Sequence, residues 1–367
     1  MTQLRTKGVC YNVSGELLSQ VIESTDSGEI ICFAPQISSK IIFSSNIINS
    51  SEPHVLFENS ISGKWEEGDV LLVKPNGFIY SLFRKKSPHN SLFLTERCNS
   101  NCLMCSQPPK NHDDLDYFFN LNTNLVSLIP ASTKELGITG GEPTLLEERF
   151  MMLLKQIKLR LPQTEIHILT NGRRFAWKDF PELISRIENP RMVFGVPLYS
   201  DYYQQHDFIV QSKNAFDQTM LGFHNMARYG LRLELRIVLH KQSYERLPKL
   251  AKYIFMNLPF IEHVAFMGLE YTGYVSGNSN LLWMEPHEYE NQLEEAVLLL
   301  NSLGMTVSIY NLPLCLLKNS IRKFARKSIS DWKQEYQDEC INCQLLDKCG
   351  GVFTTSRRKY RHIQAVS

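Results

Sequence analysis

The chain has 367 residues, 43% hydrophobic and 21% charged, ordinary globular values that exclude a disordered or collagen-like chain and allow two or three domains. Its 39 Lys and Arg against 38 Asp and Glu leave a net charge of +1, which gives no strong pull toward nucleic acid or an anionic membrane. No run approaches the length of a membrane span. Nine cysteines, seven of them in two clusters, point to metal binding in a reducing compartment rather than to disulfides. Residues 1–30 hold no apolar core of signal-peptide length, so the expected compartment is the cytoplasm.

Residues 1–87 read as a β-rich N-terminal domain. The segment 68–84 is two apolar strands around Pro75-Asn76-Gly77, and Asn-Gly between strands is a strong hairpin signal. Residues 30–34 and 40–43 read as further strands. The lone Cys10 and Cys32 read as small buried hydrophobes. Next, Cys98, Cys102 and Cys105 follow a short apolar run at C-x3-C-x2-C spacing. Thiolates select zinc, Cu(I) or iron–sulfur clusters. A structural zinc site takes four ligands, and an ordinary [4Fe–4S] cluster takes four cysteines. Three cysteines with no fourth nearby point to a cubane with one open iron, able to bind a small molecule. A zinc knuckle borrowing His112 or a distant cysteine is the alternative.

From residue 91 the pattern alternates. Strands are expected at 91–95, 135–139, 165–170, 191–198, 232–239 and 263–269, with helices at 146–160, 179–188, 215–229 and 244–257. This alternation predicts an α/β fold with a parallel sheet and right-handed crossovers. The second strand runs into Gly140-Gly141-Glu142-Pro143. Its glycines let the backbone approach a ligand closely, and the Glu142 carboxylate can accept from an ammonium group. The third strand ends in Thr170-Asn171-Gly172 and the fourth in Tyr199-Ser200-Asp201. Arg236 lies inside the apolar fifth strand, where a charge needs a partner or a ligand. Glu234 shares its face, so a pair between the two stays open. Glu270, after the sixth strand, is a candidate to contact substrate or an auxiliary site. His206 and His240 lie near strand ends, where an imidazole could move protons or simply pack. Tyr199, Tyr271 and Tyr274 could line a cavity or join the core. An amphipathic helix at 287–303 is ended by Gly304, and a strand follows at 305–310. Then come Cys315, Cys340, Cys343 and Cys349, at C-x24-C-x2-C-x5-C spacing. Four thiolates suit zinc and [4Fe–4S] alike. The basic run 357–361 reads as a solvated terminus. No residue stands out as a catalytic acid or base.

The stretch from Leu92 to Pro109, followed about 35 residues later by Gly140-Gly141-Glu142-Pro143, resembles the radical S-adenosylmethionine (radical SAM) enzymes. The resemblance implies a partial (β/α)6 TIM-type barrel over 88–285. In barrels of this kind the chemistry sits at the carboxyl ends of the strands. It implies that Cys98, Cys102 and Cys105 hold three irons while the fourth iron chelates SAM. It assigns Gly140, Gly141, Glu142 and Pro143 to the methionine amino group, Thr170 and Asn171 to its ribose or methionine portion, and Ser200 to the ribose. A carboxylate contact for Arg236 belongs to the same set. Met104 stands where the family usually has an aromatic residue, and a thioether also packs on a ring. Behind such a core, Cys315, Cys340, Cys343 and Cys349 resemble a twitch- or SPASM-type extension over 286–367, holding an auxiliary [4Fe–4S] cluster or, alternatively, zinc.

The implied activity is reductive cleavage of SAM to a 5′-deoxyadenosyl radical. Within the superfamily, the residues from Leu94 to Lys110, the Gly140–Pro143 turn and Asn311-Leu-Pro-Leu-Cys315 are similar to the HxsC-type maturases of the His-Xaa-Ser repeat system. That likeness implies a ribosomally made peptide substrate, a sister radical SAM maturase as partner, and an electron donor such as flavodoxin or ferredoxin. Two alternatives stand beside it: a radical SAM enzyme acting on a small molecule or RNA base, and a non-catalytic iron–sulfur or zinc scaffold.

Overall fold

The computed structural model describes residues 4–25, 28–46, 51–61 and 63–366. The chain divides into two compact units. The first comprises residues 1–94, 115–138 and 148–166, and the second residues 95–114, 139–147 and 167–367.

The first unit begins with eight short strands: β1 (Arg5–Lys7), β2 (Val9–Tyr11), β3 (Leu17–Ser24), β4 (Ile30–Ala34), β5 (Ser39–Ser44), β6 (His54–Leu56), β7 (Val70–Val73) and β8 (Phe78–Phe83). Their order is β1-β8-β7-β3-β4-β5-β6-β2. The two ends of that order are one stretch of chain interrupted at Gly8, so the sheet closes on itself as a small barrel, and closure removes exposed edges. The β7–β8 hairpin turns at Gly77, whose φ is +85°. A Cβ there would lie 2.0 Å from the Gly8 carbonyl oxygen, so the turn needs glycine for both conformation and space. Inside, Phe43 packs edge-on against Phe57 and Trp65, with centroids 6.1 and 5.5 Å away. Cys32 is fully buried among these apolar side chains, as a small hydrophobe should be.

The same unit holds β9 (Ser91–Phe93), α1 (Leu115–Leu128), α2 (Glu148–Arg160) and most of β10 (Glu135–Thr139). Helix α1 joins the small barrel through Tyr117 Oη, which donates to Glu16 at 2.8 Å, and through Gln20 Nε2, which donates to the Leu128 carbonyl at 3.0 Å. The sequence reading did not anticipate α1. Its Asn120, Asn122, Thr123 and Asn124 are poor helix formers. Burial of Asn122, which donates to the Phe93 carbonyl at 2.8 Å, supplies a tertiary reason for the helix.

The barrel strands continue with β11 (Glu165–Leu169), β12 (Met192–Pro197), β13 (Arg232–Leu239), β14 (His263–Gly268), β15 (Val307–Tyr310) and β16 (Ala325–Arg326). The sheet order is β16-β15-β14-β13-β12-β11-β10-β9. The pairs from β12 to β16 are parallel, as alternating strands and helices require. The expected six strands are thus followed in the sheet by two more, β15 and β16. Helices α3 (Asp179–Ser185), α4 (Tyr203–Val210), α5 (Ala215–Arg228) and α6 (Leu247–Asn257) lie between strands. Along β13, Leu233, Leu235, Ile237 and Leu239 are at most 1% exposed, while Glu234 and Arg236 project from the opposite face by strand alternation.

Two one-turn helices, α7 (Tyr274–Gly277) and α8 (Ser279–Leu282), precede the long α9 (Pro286–Ser302). The C-terminal stretch folds around a two-stranded antiparallel pair, β17 (Gln334–Glu335) with β18 (Val352–Phe353). Among the described residues, no helix is long and apolar enough to cross a membrane.

Candidate functional site

The loop after β9 is closed at its base by Asp114. This buried carboxylate accepts from Thr95 Oγ1 at 2.6 Å and from the Glu96 amide at 2.7 Å. Lys110 returns to Glu96 through its amide at 2.9 Å and its Nζ at 2.6 Å. The loop so pinned carries Cys98, Cys102 and Cys105. Its far side rests on α4, where the Asn101 and Leu103 amides donate to the Val210 and Ile209 carbonyls at 3.1 and 2.9 Å. The Tyr274 amide donates to the Cys105 carbonyl at 2.9 Å.

The Gly140–Pro143 turn lies directly on this loop. The Gly141 amide donates to the Thr95 carbonyl at 2.7 Å and the Glu142 amide to the Arg97 carbonyl at 2.8 Å. A Cβ on Gly141 would sit 2.0 Å from the Arg97 carbonyl oxygen and 3.2 Å from Cys98 Cβ, so only glycine permits the approach. Pro143 opens a short 3-10 turn, Pro143–Leu146, that the Glu142 side chain caps. The Glu142 carboxylate is fully buried. Its Oε1 accepts from the Thr144 amide at 3.1 Å, Thr144 Oγ1 at 2.6 Å and Thr170 Oγ1 at 2.7 Å, and its Oε2 from the Asn171 amide at 2.7 Å. A carboxylate offers about four acceptor sites, two on each oxygen, so Oε2 retains capacity for one further donor. Thr170 and Asn171 are therefore brought to Glu142.

Asn171 Nδ2 also donates to Asn99 Oδ1 at 2.6 Å, linking the third strand end to the cysteine loop. Arg173, two residues on, does more. Its guanidinium donates to the Asn99 carbonyl, to Ser100 Oγ at 3.1 Å, to Ser212 Oγ at 2.8 Å and to Gln218 Oε1 at 2.7 Å. Sequence reasoning missed Arg173 and Asp114. Arg173 directly follows Thr170-Asn171-Gly172, the one local hint of its place.

Burial pushes the Cys98 thiol up to about 12, with Arg173 opposing the shift. Burial likewise raises Cys102 and Cys105. Bare thiolates are thus disfavoured here, and bound metal is what deprotonates a coordinating thiol outright. Three half-buried cysteines near a guanidinium, backed by a glycine turn with no room for a side chain, fit a cluster of net negative charge. Met104, 6% exposed, packs in an apolar group with Tyr199, Leu269 and Val275, and Cys102 borders it.

Ser200 and Arg236 are not joined to the Glu142 cluster by any hydrogen bond among the described residues. Ser200 is fully buried and donates to Gln205 Oε1 at 2.8 Å. Arg236 Nη1 donates to Glu234 at 2.6 Å, and Glu234 also contacts His263 Nδ1 at 2.7 Å. Burial alone would raise the Glu234 carboxyl, but His263 and Arg236 outweigh it and hold it below the usual range. The pairing of Glu234 with Arg236 is the one their shared face allowed. Glu270 pairs with Lys333 Nζ at 3.0 Å, so it reaches the C-terminal extension. His206 and His240 are buried, their pKa values lowered by burial to about 4 and about 3. Both pack against Tyr199, with ring centroids 5.8 and 6.1 Å from it.

The second cysteine set forms its own site. Cys315, Cys340, Cys343 and Cys349 together line one small pocket. Backbone amides point at the sulfurs: those of Leu314 and Gly351 donate to Cys349 Sγ, and that of Val366 to Cys343 Sγ, each at 3.4 Å. Burial raises the Cys315 and Cys340 thiols as well. Trp283 packs against apolar groups at both sites, with Tyr271 on one side at 5.6 Å and Tyr360 on the other at 5.4 Å between ring centroids.

Comparison with known proteins agrees with this geometry. The Radical SAM superfamily model matches residues 92–254. The Fe-coproporphyrin III synthase of Methanosarcina barkeri is 24% identical over 191 residues, covering 49% of this chain. That is 43% of the relative, so the chain spans less than half of its length. Among solved structures, anSMEcpe with bound AdoMet superposes with a TM-score of 0.53 at 14% identity, covering 75% of this chain and 88% of that one. The same protein with bound AdoMet and Cp18Cys peptide gives 0.51 at 14% identity, covering 75% and 91%. At such identities these structures speak for the fold, an α/β partial barrel. The three-cysteine loop after β9 and this fold agree with the match of residues 92–254 to the Radical SAM superfamily model.

Proposed function

We propose that the protein is a radical SAM enzyme that modifies a ribosomally made peptide of the His-Xaa-Ser repeat type, with a sister radical SAM maturase as partner. The observation that carries the radical SAM reading is the joining of the cysteine loop to the Gly140–Pro143 turn through two backbone hydrogen bonds, with Glu142 gathering Thr170 and Asn171 behind it. Cys98, Cys102 and Cys105 would hold three irons of a [4Fe–4S] cluster, leaving the fourth to SAM. When bound, cluster and SAM supply one electron and a 5′-deoxyadenosyl radical that takes hydrogen from an unactivated carbon. The chain's own residues bind and orient the cofactors and exclude water. Gly140, Gly141, Glu142 and Pro143 would receive the methionine amino group at the capacity left on Glu142 Oε2. Thr170, Asn171, Ser200 and Arg236 would complete the SAM pocket, Arg236 through donors other than the Nη1 it gives to Glu234. Arg173 holds the cysteine loop and offsets thiolate charge.

For Cys315, Cys340, Cys343 and Cys349 we propose an auxiliary [4Fe–4S] cluster, with zinc as the alternative. The pocket that all four line and the amides donating to two of the sulfurs support a cluster, since such hydrogen bonds tune cluster potential. The domain borders proposed with this reading are 1–87, 88–285 and 286–367, and an electron donor such as flavodoxin or ferredoxin would serve the core.

The peptide reading draws support from the fold shared with anSMEcpe, a protein solved with a peptide bound. The similarity to a coproporphyrin-forming synthase favours a second reading, a small-molecule substrate. Anaerobic incubation of the reconstituted protein with SAM, reductant, sister maturase and a His-Xaa-Ser repeat peptide decides between them. A mass change in the peptide that requires SAM supports the first. Turnover of SAM with an unchanged peptide moves the substrate to the second.

A further inference from the structure

The start of α9 and the C-terminal tail bring together Glu285, His287 and His362. One ligand atom from each lies within 4.8 Å of the other two. The two imidazole rings are 4.2 Å apart between centroids, tilted by 60°. Glu285 is 8% exposed, and a buried carboxylate is normally paired or bound to a metal. Its ion-pairing neighbour is His362 Nδ1 at 3.4 Å, and no Lys or Arg side chain pairs with it among the described residues. Its other partners are backbone donors: the Glu288 amide in the capping box, and the Arg361 amide at 3.2 Å to Oε1 and 3.4 Å to Oε2. These leave acceptor capacity on the carboxylate.

A second cluster of the same kind, Glu96 with His112 and Asp114, shows the contrast. There Lys110 Nζ already sits on Glu96 at 2.6 Å, and both Asp114 oxygens accept from the loop. That group is a brace with its own cation. At Glu285 the cation is missing while two imidazoles converge on it.

We propose that Glu285, His287 and His362 form a binding site for a divalent metal of the zinc class. Two imidazole nitrogens and one carboxylate oxygen are a zinc donor set, with a fourth position open to water. Zinc-to-ligand distances of about 2.0–2.2 Å require the three donors to draw together by small rotations, which the exposed His287 and His362 side chains permit. The positive end of the α9 dipole opposes a cation, a small cost beside the binding energy of a metal site. The metal would anchor the tail that reaches Val366, whose amide donates to Cys343 Sγ and whose carbonyl accepts from the Gln344 amide at 3.0 Å. It would therefore steady the second cysteine site from outside.

The test uses the full chain, first reconstituted with iron and sulfide, then given Zn²⁺ and freed of excess by gel filtration. Metal counting is expected to find one more zinc per chain in wild type than in His287→Ala or His362→Ala, with iron equal in all three. Amide exchange over residues 361–366 is expected to slow on zinc addition in wild type alone. Equal zinc in wild type and variants, or exchange that responds to zinc in neither, overturns the site. The proposed function fails differently: low iron in wild type would raise zinc on the thiols in every protein alike and leave the one-zinc difference intact.

Discussion

The Glu142 carboxylate accepts four hydrogen bonds in the candidate site. Replacing one carboxylate oxygen by an amide nitrogen sets two N–H groups against donors that already point inward. Glu142→Gln is expected to cost about 1–3 kcal/mol, seen as a lower urea midpoint, and to weaken SAM binding by at least tenfold in equilibrium dialysis. An unchanged SAM affinity would remove Glu142 from the pocket. His206 and His240 set a different dependence. Both stay neutral in the fold down to about pH 4 and about pH 3, whereas an unfolded histidine charges near 6.5. The unfolded chain then binds more protons below about pH 6.5, so stability is full above that pH and falls as the pH drops toward the folded values. The expected slope is about 1.4 kcal/mol per pH unit for each histidine. Urea midpoints at pH 7.5 and 5.0 should show the fall, and His240→Phe should reduce it. At this scale the cysteines and the Gly140–Pro143 turn were legible because identity and local spacing carry their meaning. The exact donors on Glu142 were not, since they depend on how two neighbouring strand ends meet.

Among the elements, the loop after β9 depends on partners distant in sequence. Arg173 reaches Ser100 across 73 positions, and no local pattern reveals such a contact. Charged hydrogen bonds of this kind are worth about 1.5–3 kcal/mol each. Arg173→Ala is expected to shed iron from the first cysteine site on gel filtration while the second keeps its metal. Retention of full iron would mean that Asp114 and α4 hold the loop unaided. The strand–helix alternation was legible because β13 and its neighbours combine buried apolar faces with turn residues at their ends. Helix α1 was not, since its run of Asn and Thr argues locally against a helix and only burial of Asn122 and its neighbours reverses that. Strands β1 and β2 were likewise hidden, being three residues each and recognisable only as the seam that closes the small barrel.

For the whole molecule, composition and cysteine grouping led to the expectation of two metal sites on an α/β chain; in the structure Cys98, Cys102 and Cys105 share the loop after β9, and Cys315, Cys340, Cys343 and Cys349 line one pocket. The division into compact units runs through β10 and β11, within continuous strands where sequence offers no linker to mark it. Cys98, Cys102 and Cys105 are proposed to hold a cluster at which SAM is cleaved. The most direct test is an anaerobic count of iron and of 5′-deoxyadenosine formed with SAM and dithionite. Wild type is expected to hold about eight irons, four for each [4Fe–4S] cluster, and to form 5′-deoxyadenosine. The Cys98/Cys102/Cys105→Ala triple variant is expected to lose about four irons and all of that product. A variant that keeps both, or a fully loaded wild type that forms none even with peptide and sister maturase present, would contradict the account.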